Sequence, residues 1–237
     1  VGRTSLESNT TGSQNTAVGA LALDDNNADN NTAVGYKALY LNSTGTLNTA
    51  IGYLALQANT TADKNVAVGG NCLQANTTGT DNNAVGYAAL YANTTGNDNT
   101  AMGDNALGAN TTASNNTAVG SSALVANTTG TFNTGAGDRV LFSNTTGQFN
   151  NALGSQCLYS NTTGDQNTSV GHQALYANTT ANNNTAVGYD ALTATTTGAS
   201  NVGIGSQSLF SQTTANNNTA VGFQALYTNT TADNNTG

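Results

Sequence analysis

Few side chains in this chain carry chemistry beyond hydrogen bonding. The one histidine, His172, could act as a general base only beside a positioned nucleophile, and the many serines lie outside any G-x-S-x-G turn between strand and helix. A surface histidine is the plainer reading, and no hydrolase or other enzyme is expected. Three carboxylates, Asp24, Asp25 and Asp29, crowd one short stretch and could hold a single Ca²⁺ with asparagine carbonyls; a solvated acidic turn is the alternative. Asp29, Asp63, Asp165 and Asp233 share a column of the repeat described below but lie several coils apart, which excludes a continuous ion ladder.

The aromatic residues Phe142, Tyr159 and Tyr176 recur every 17 residues. They are candidates for a glycan or ligand contact strip, since sugar recognition favours exposed ring faces; stacking that stiffens a sheet face is the competing role. Phe132 and Phe149 form a second pair beside the most divergent stretch, Gly135 to Val140, a further candidate for a specialised contact. The N-T-T tripeptides match the N-glycosylation acceptor pattern, although turn chemistry accounts for them without a glycan.

What must position these groups is a tandem repeat. An apolar residue followed by glycine recurs from Gly2 to Gly222, at 17-residue steps except for one of 16 between Gly19 and Gly35, and the consensus reads N-T-A-V-G-Y-x-A-L-Y-A-N-T-T-G-x-x. A leucine stands four residues after every one of these glycines, from Leu6 to Leu226, so this column is buried. The residue before the glycine is Val or Ile in most coils and is expected to form a second apolar column lining the interior. Asparagine stands four before the glycine throughout, and a second asparagine follows the leucine by three nearly as regularly; such columns can stack amide on amide. Cys72 and Cys157 share a small-residue column five repeats apart, too far for a disulfide in a stack of coils, and should be free, buried thiols.

Seventeen residues are too few for a helix pair, and Val, Thr, Tyr and Asn favour strands and turns. The expected fold is therefore all-β: one parallel β-solenoid array over residues 1–237, of about fourteen 17-residue coils. Each coil should carry short strands at T-A-V and A-L-Y, a bend at the glycine and a turn at N-T-T-G. Both ends fall inside a repeat, as expected of a segment of a longer fibre. Only 7% of residues are charged, the formal net charge is −8, and the four basic residues are scattered, which argues against nucleic acid as a partner. No apolar run is long enough to span a bilayer, so membrane insertion is not expected.

Strings such as Asn31-Thr32-Ala33-Val34-Gly35-Tyr36-Lys37-Ala38-Leu39 resemble the A-[VI]-G-x-x-A repeat of YadA-like adhesin heads. They are closer still to the N-T-A-V-G-Y-x-A-L-Y-x-N-T-T-G arrays of bacteriophage tail fibre and bacterial tail-fibre-domain proteins. The resemblance spans the chain, and its repeat is longer than that of the adhesin heads by an N-T-T turn. It implies a left-handed β-roll assembled as a homotrimer, used as a stalk or adhesive segment outside the cell, on a virion or cell surface, where a host glycan or receptor would be the partner. Small residues two before the repeat glycine, and three after it in every coil but that of Val140, fit close approach of another sheet, or else a roll too thin for anything larger. Ice binding through stacked threonines and a functional amyloid matrix fibre are the alternatives.

Overall fold

The computed structural model describes residues 2–237. It consists of parallel β-solenoid coils, divided into two compact units, Val1–Asn116 and Thr117–Gly237. In the first, β1 (Thr16–Val18), β2 (Thr32–Val34), β3 (Thr49–Ile51), β4 (Val66–Val68), β5 (Asn83–Val85) and β6 (Thr100–Met102) pair in chain order, parallel and in register. The second repeats the arrangement from β7 (Thr117–Val119) through β8 (Thr134–Ala136) and β9 (Asn151–Leu153) to β13 (Thr219–Val221). Among the described residues there are thirteen strands for the fourteen glycine positions, because the residue before Gly2 is Val1, outside the described set.

Only T-A-V is a strand. The expected second strand at A-L-Y is replaced by overlapping turns: in one coil Ala89 N–H bonds Gly86 O at 3.4 Å and Tyr91 N–H bonds Ala88 O at 3.3 Å. Each turn has a left-handed residue at its third position, Ala88 at φ 53° and Leu90 at φ 51°. Type II turns normally reserve that position for Gly or Asn, yet the leucine of every coil from Leu6 to Leu226 occupies it, fully buried from Leu23 to Leu209. The left-handed conformation costs a leucine about 1–2 kcal/mol. Burying its side chain contributes about 1.5–3 kcal/mol, and its N–H bonds the next coil, as Leu39 does to Ala55 O at 3.0 Å. At the bend, Gly35 has φ 139°, and a Cβ there would collide with the carbonyl of Gly52 on the next coil.

The interior differs from the sequence expectation. Ala33, Ala38 and Leu39 have no exposed surface, and the same three columns are closed in most other coils. The column before the glycine, expected inside, faces out: Val18, Ile51, Val85, Met102, Leu153 and Val221 expose 38–61% of their surface. Successive side chains of a strand point to opposite faces, so burying the alanine of T-A-V turns both Thr and Val outward. The small-residue columns are therefore core, filling a coil too thin for larger groups, and they are not a surface for another sheet.

The rest of the interior is asparagine. Asn59 Nδ2 donates to Asn42 Oδ1 on the preceding coil at 2.7 Å and to Ala62 O in its own turn at 3.0 Å. Its Oδ1 accepts from Asn76 Nδ2 at 3.2 Å. In the second ladder Asn48 Oδ1 takes the backbone N–H of Asn65 at 2.9 Å, and Asn48 Nδ2 adds a second donor to Ala62 O at 2.8 Å. Between Asn26 and Asn218 both ladders are buried, so each amide there depends on its neighbours for the partners that water would otherwise supply. The 16-residue coil keeps this pattern. Asn26 and Asn15 both reach Ala28 O, at 2.8 and 2.7 Å, so the missing residue comes out of the turn between amide and carbonyl and the strands stay paired Thr16 to Thr32.

One rung is defective. Thr195 replaces the asparagine above Asn178, has no amide to donate, and leaves the buried Asn178 Oδ1 without a partner. Thr195→Asn should restore that bond and raise stability by about 1–2 kcal/mol, read as a higher denaturation midpoint, whereas Asn93→Ala should lower it by about 2 kcal/mol or more by stranding groups on both sides. An unchanged midpoint for Thr195→Asn would contradict the ladder's energetic role.

Candidate functional surfaces

The aspartates that share a column of the repeat serve the backbone of the preceding coil. Asp29 accepts Ser13 N–H at 2.7 Å and Ser13 Oγ–H at 3.0 Å, and Asp63 does the same for Thr46 at 2.6 and 2.9 Å. Asp165 and Asp233 take the N–H of Gln148 and Asn216 at 2.7 and 2.6 Å. Asn97 fills the same role for Thr80 at 2.7 Å, so any short acceptor suffices in this column. Among the described residues no three His, Cys, Asp or Glu side chains form a metal-sized group, and Asp24, Asp25 and Asp29 are not brought together as the Ca²⁺ site the sequence suggested. Asp29 is instead held by Ser13, which keeps its carboxyl below the usual 3.8, while burial first, then Asp25 and Glu7, push Asp24 above it.

Phe142, Tyr159 and Tyr176 do form a column. Their rings stack at 5.0 and 5.1 Å with interplanar angles of 2° and 10°. Each inner face is therefore occupied by the neighbouring ring, and what the strip presents to solvent is mainly edges and hydroxyls. Phe132 and Phe149 stack at 5.1 Å and remain half exposed, and exposed His172 stacks on Tyr189 at 5.6 Å. Cys72 and Cys157 are free and buried, and burial pushes the Cys72 thiol up to about 12, which leaves it unreactive near neutral pH.

The asparagines of the N-T-T motifs, Asn59, Asn76 and Asn93 among them, point inward with both amide hydrogens engaged. The folded coil thus holds these acceptor sites closed. The first threonine is engaged too: Thr60 Oγ1 donates to Thr77 O at 3.1 Å and Thr94 Oγ1 to Thr111 O at 3.0 Å, leaving only the second threonine fully exposed.

The surface that sequence reasoning missed is the outer face of the sheet with the corner beside it. The half-exposed Val and Ile column runs next to exposed Tyr36, Tyr53, Tyr87 and Tyr189, each directly after its glycine. Alternation along T-A-V was the available signal, but three residues do not say which parity is interior. The chain matches no family model, no curated protein and no solved structure.

The divergent stretch Gly135 to Val140 has a packing explanation. A Cβ at Gly135 would approach Val140 Cγ1 to 3.0 Å and Leu124 Cδ1 to 3.4 Å, so the glycine makes room for the valine that replaces the usual alanine. Gly135→Ala alone should destabilise by about 1–3 kcal/mol through overpacking, and Gly135→Ala with Val140→Ala should recover most of that loss. Additive losses in denaturant titrations would refute the compensation.

The two perturbed carboxyls give a pH test. Asp29 has a lowered native value, so its contribution to stability is present above 3.8 and is lost as pH falls through that lower value. Asp24 runs the other way: its contribution is present below 3.8 and lost as pH rises through the raised value. Carboxyl NMR titration should find Asp29 below Asp24, and Ser13→Ala should move Asp29 up while leaving Asp24 in place.

Proposed function

We propose that this chain is a structural or adhesive segment of an extracellular fibre, on a virion or cell surface, working as a homotrimer rather than as an enzyme. The observation that carries the reading is the uncovered outer face of an all-parallel sheet. Parallel sheets are ordinarily covered on both faces, and a run of half-exposed Val, Ile, Met and Leu side chains is the kind of apolar surface that marks a protein interface. Association of three copies would cover it. Coils that depend on one another for their buried hydrogen bonds fit a spacer whose length follows its repeat number. The resemblance to tail-fibre and YadA-like repeats supports the same role, with a host-surface glycan or receptor as the partner.

Ice binding has one feature in its favour. The strand threonines Thr16, Thr32 and Thr49 lie on the outer face in register with Val18, Val34 and Ile51, a two-column array of hydroxyls and methyls at strand spacing. Val66 and Asn83 interrupt the hydroxyl column on the next two coils, which weighs toward the fibre.

At micromolar concentration the chain should sediment as a trimer, and Ile51→Lys with Val85→Lys should release monomers that keep the β circular dichroism of the parent. A parent that sediments as a monomer removes the trimer. Thermal hysteresis from that monomer, lost in the Lys variant, would favour ice binding instead.

A further inference from the structure

Along the exposed column directly after the glycine, the first four coils carry Arg3, Ala20, Tyr36 and Tyr53. Their succession is fixed by the backbone: Leu21 N–H bonds Arg3 O, Lys37 N–H bonds Ala20 O and Leu54 N–H bonds Tyr36 O, each at 3.0 Å. Tyr36 stacks on Tyr53 at 5.7 Å. One coil earlier, Ala20 puts a methyl where the column could hold a ring. A cavity of about 370 Å³ opens there, lined by Arg3, Thr4, Ala20, Leu21 and Tyr36.

Arg3 and Tyr36 are two coils apart, about 10 Å at strand spacing, which is room for one flat ring between them. The walls differ in chemistry. Tyr36 offers an aromatic platform, Arg3 a guanidinium suited to bidentate contact with a carboxylate, and Thr4 a hydroxyl oxygen that can still accept, its proton being given to Arg3 O at 2.8 Å. Arg3 thus gives the notch lining a positive charge in a chain with only four basic residues and a formal net charge of −8.

We propose that the notch over Ala20 is a binding site for a carboxylated pyranose. The sugar ring fills the missing rung against Tyr36, its carboxylate pairs with Arg3 and its hydroxyls reach Thr4. The volume suits a single residue of that size. As the ligand contact of an adhesive segment the site rests on the reading above, but it is tested by binding alone, whereas that reading is tested by assembly.

Sodium glucuronate, sodium N-acetylneuraminate and glucose are titrated separately into the full chain, followed by backbone amide shifts in NMR. At least one of the two acids should shift Arg3, Thr4, Ala20 and Leu21 with millimolar affinity, and the two arms distinguish a uronate from a nonulosonate. Glucose should bind at least tenfold more weakly. Arg3→Gln, at an exposed position, should lose about tenfold in affinity for the acid. Ala20→Tyr should abolish binding by supplying the rung from the chain itself, with a melting midpoint no lower than the parent's. The proposal is overturned if neither acid shifts those amides, if glucose binds as well as the acids, or if folded Ala20→Tyr binds like the parent. A trimer that fails to form leaves these outcomes unchanged, and absent binding leaves the trimer unaffected.

Discussion

A buried carboxamide has two donors and an acceptor that no apolar neighbour can satisfy, and this fold places two such groups in nearly every coil. Their partners are the side-chain amides above and below, the backbone N–H of the next coil's asparagine in the second ladder, and one turn carbonyl that takes donors from both ladders, as Ala62 O does from Asn48 and Asn59. An unmade bond to a buried polar group costs about 1–3 kcal/mol, so a slip of one coil against the next would lose more than the small alanine and leucine core could offset. Register is thus set by the asparagines, and thickness by the alanines. The turn is the free variable, which is why the 16-residue coil gives up its residue there and nowhere else.

From that constraint follows the division between inside and outside. With Asn and Ala occupying the inward positions before the glycine, the neighbouring Thr and Val have nowhere to go but out. The glycine then turns the chain sharply enough that the next side chain stands exposed beside the valine. The surface is in this sense a by-product of the interior, and its apolar character follows from β-propensity in a strand only three residues long.

Much of this was legible in the sequence. The period located every coil, the invariant leucines marked the core, and the paired asparagine columns announced their stacking. Three things were not. Leucine is a poor signal for left-handed backbone, so the turns at A-L-Y read as a strand. A three-residue alternation of Thr, Ala and Val is compatible with either face being interior, and the larger Val was the natural but incorrect choice. Among the candidate site residues, the stacking of Phe142, Tyr159 and Tyr176 was one of the two roles the sequence offered for that column, and the rings do stack. Asp29 looked like a metal ligand because its real partner, the Ser13 N–H, belongs to a different coil.

The amide ladders also have a direction. Asn59 donates to Asn42, Asn76 to Asn59 and Asn93 to Asn76; in the second unit Asn144 donates to Asn127 and Asn161 to Asn144, always toward the lower-numbered coil. The glutamine pairs Gln74 to Gln57, Gln173 to Gln156 and Gln224 to Gln207 point the same way. Backbone bonds alternate, Lys37 donating backward to Ala20 and Leu39 forward to Ala55, and so largely cancel. The carboxamide dipoles add within each ladder, while the threonine hydroxyls at the surface donate the other way, as Thr60 does to Thr77 O. Each buried ladder is therefore electrically polar along the stack, positive toward its lower-numbered end, as a helix is along its axis. Polarisation along such a chain strengthens each bond by roughly 10–30%, so a rung gains from rungs it does not touch, and coils brought together head to tail continue the polarity that a head-to-head meeting would oppose.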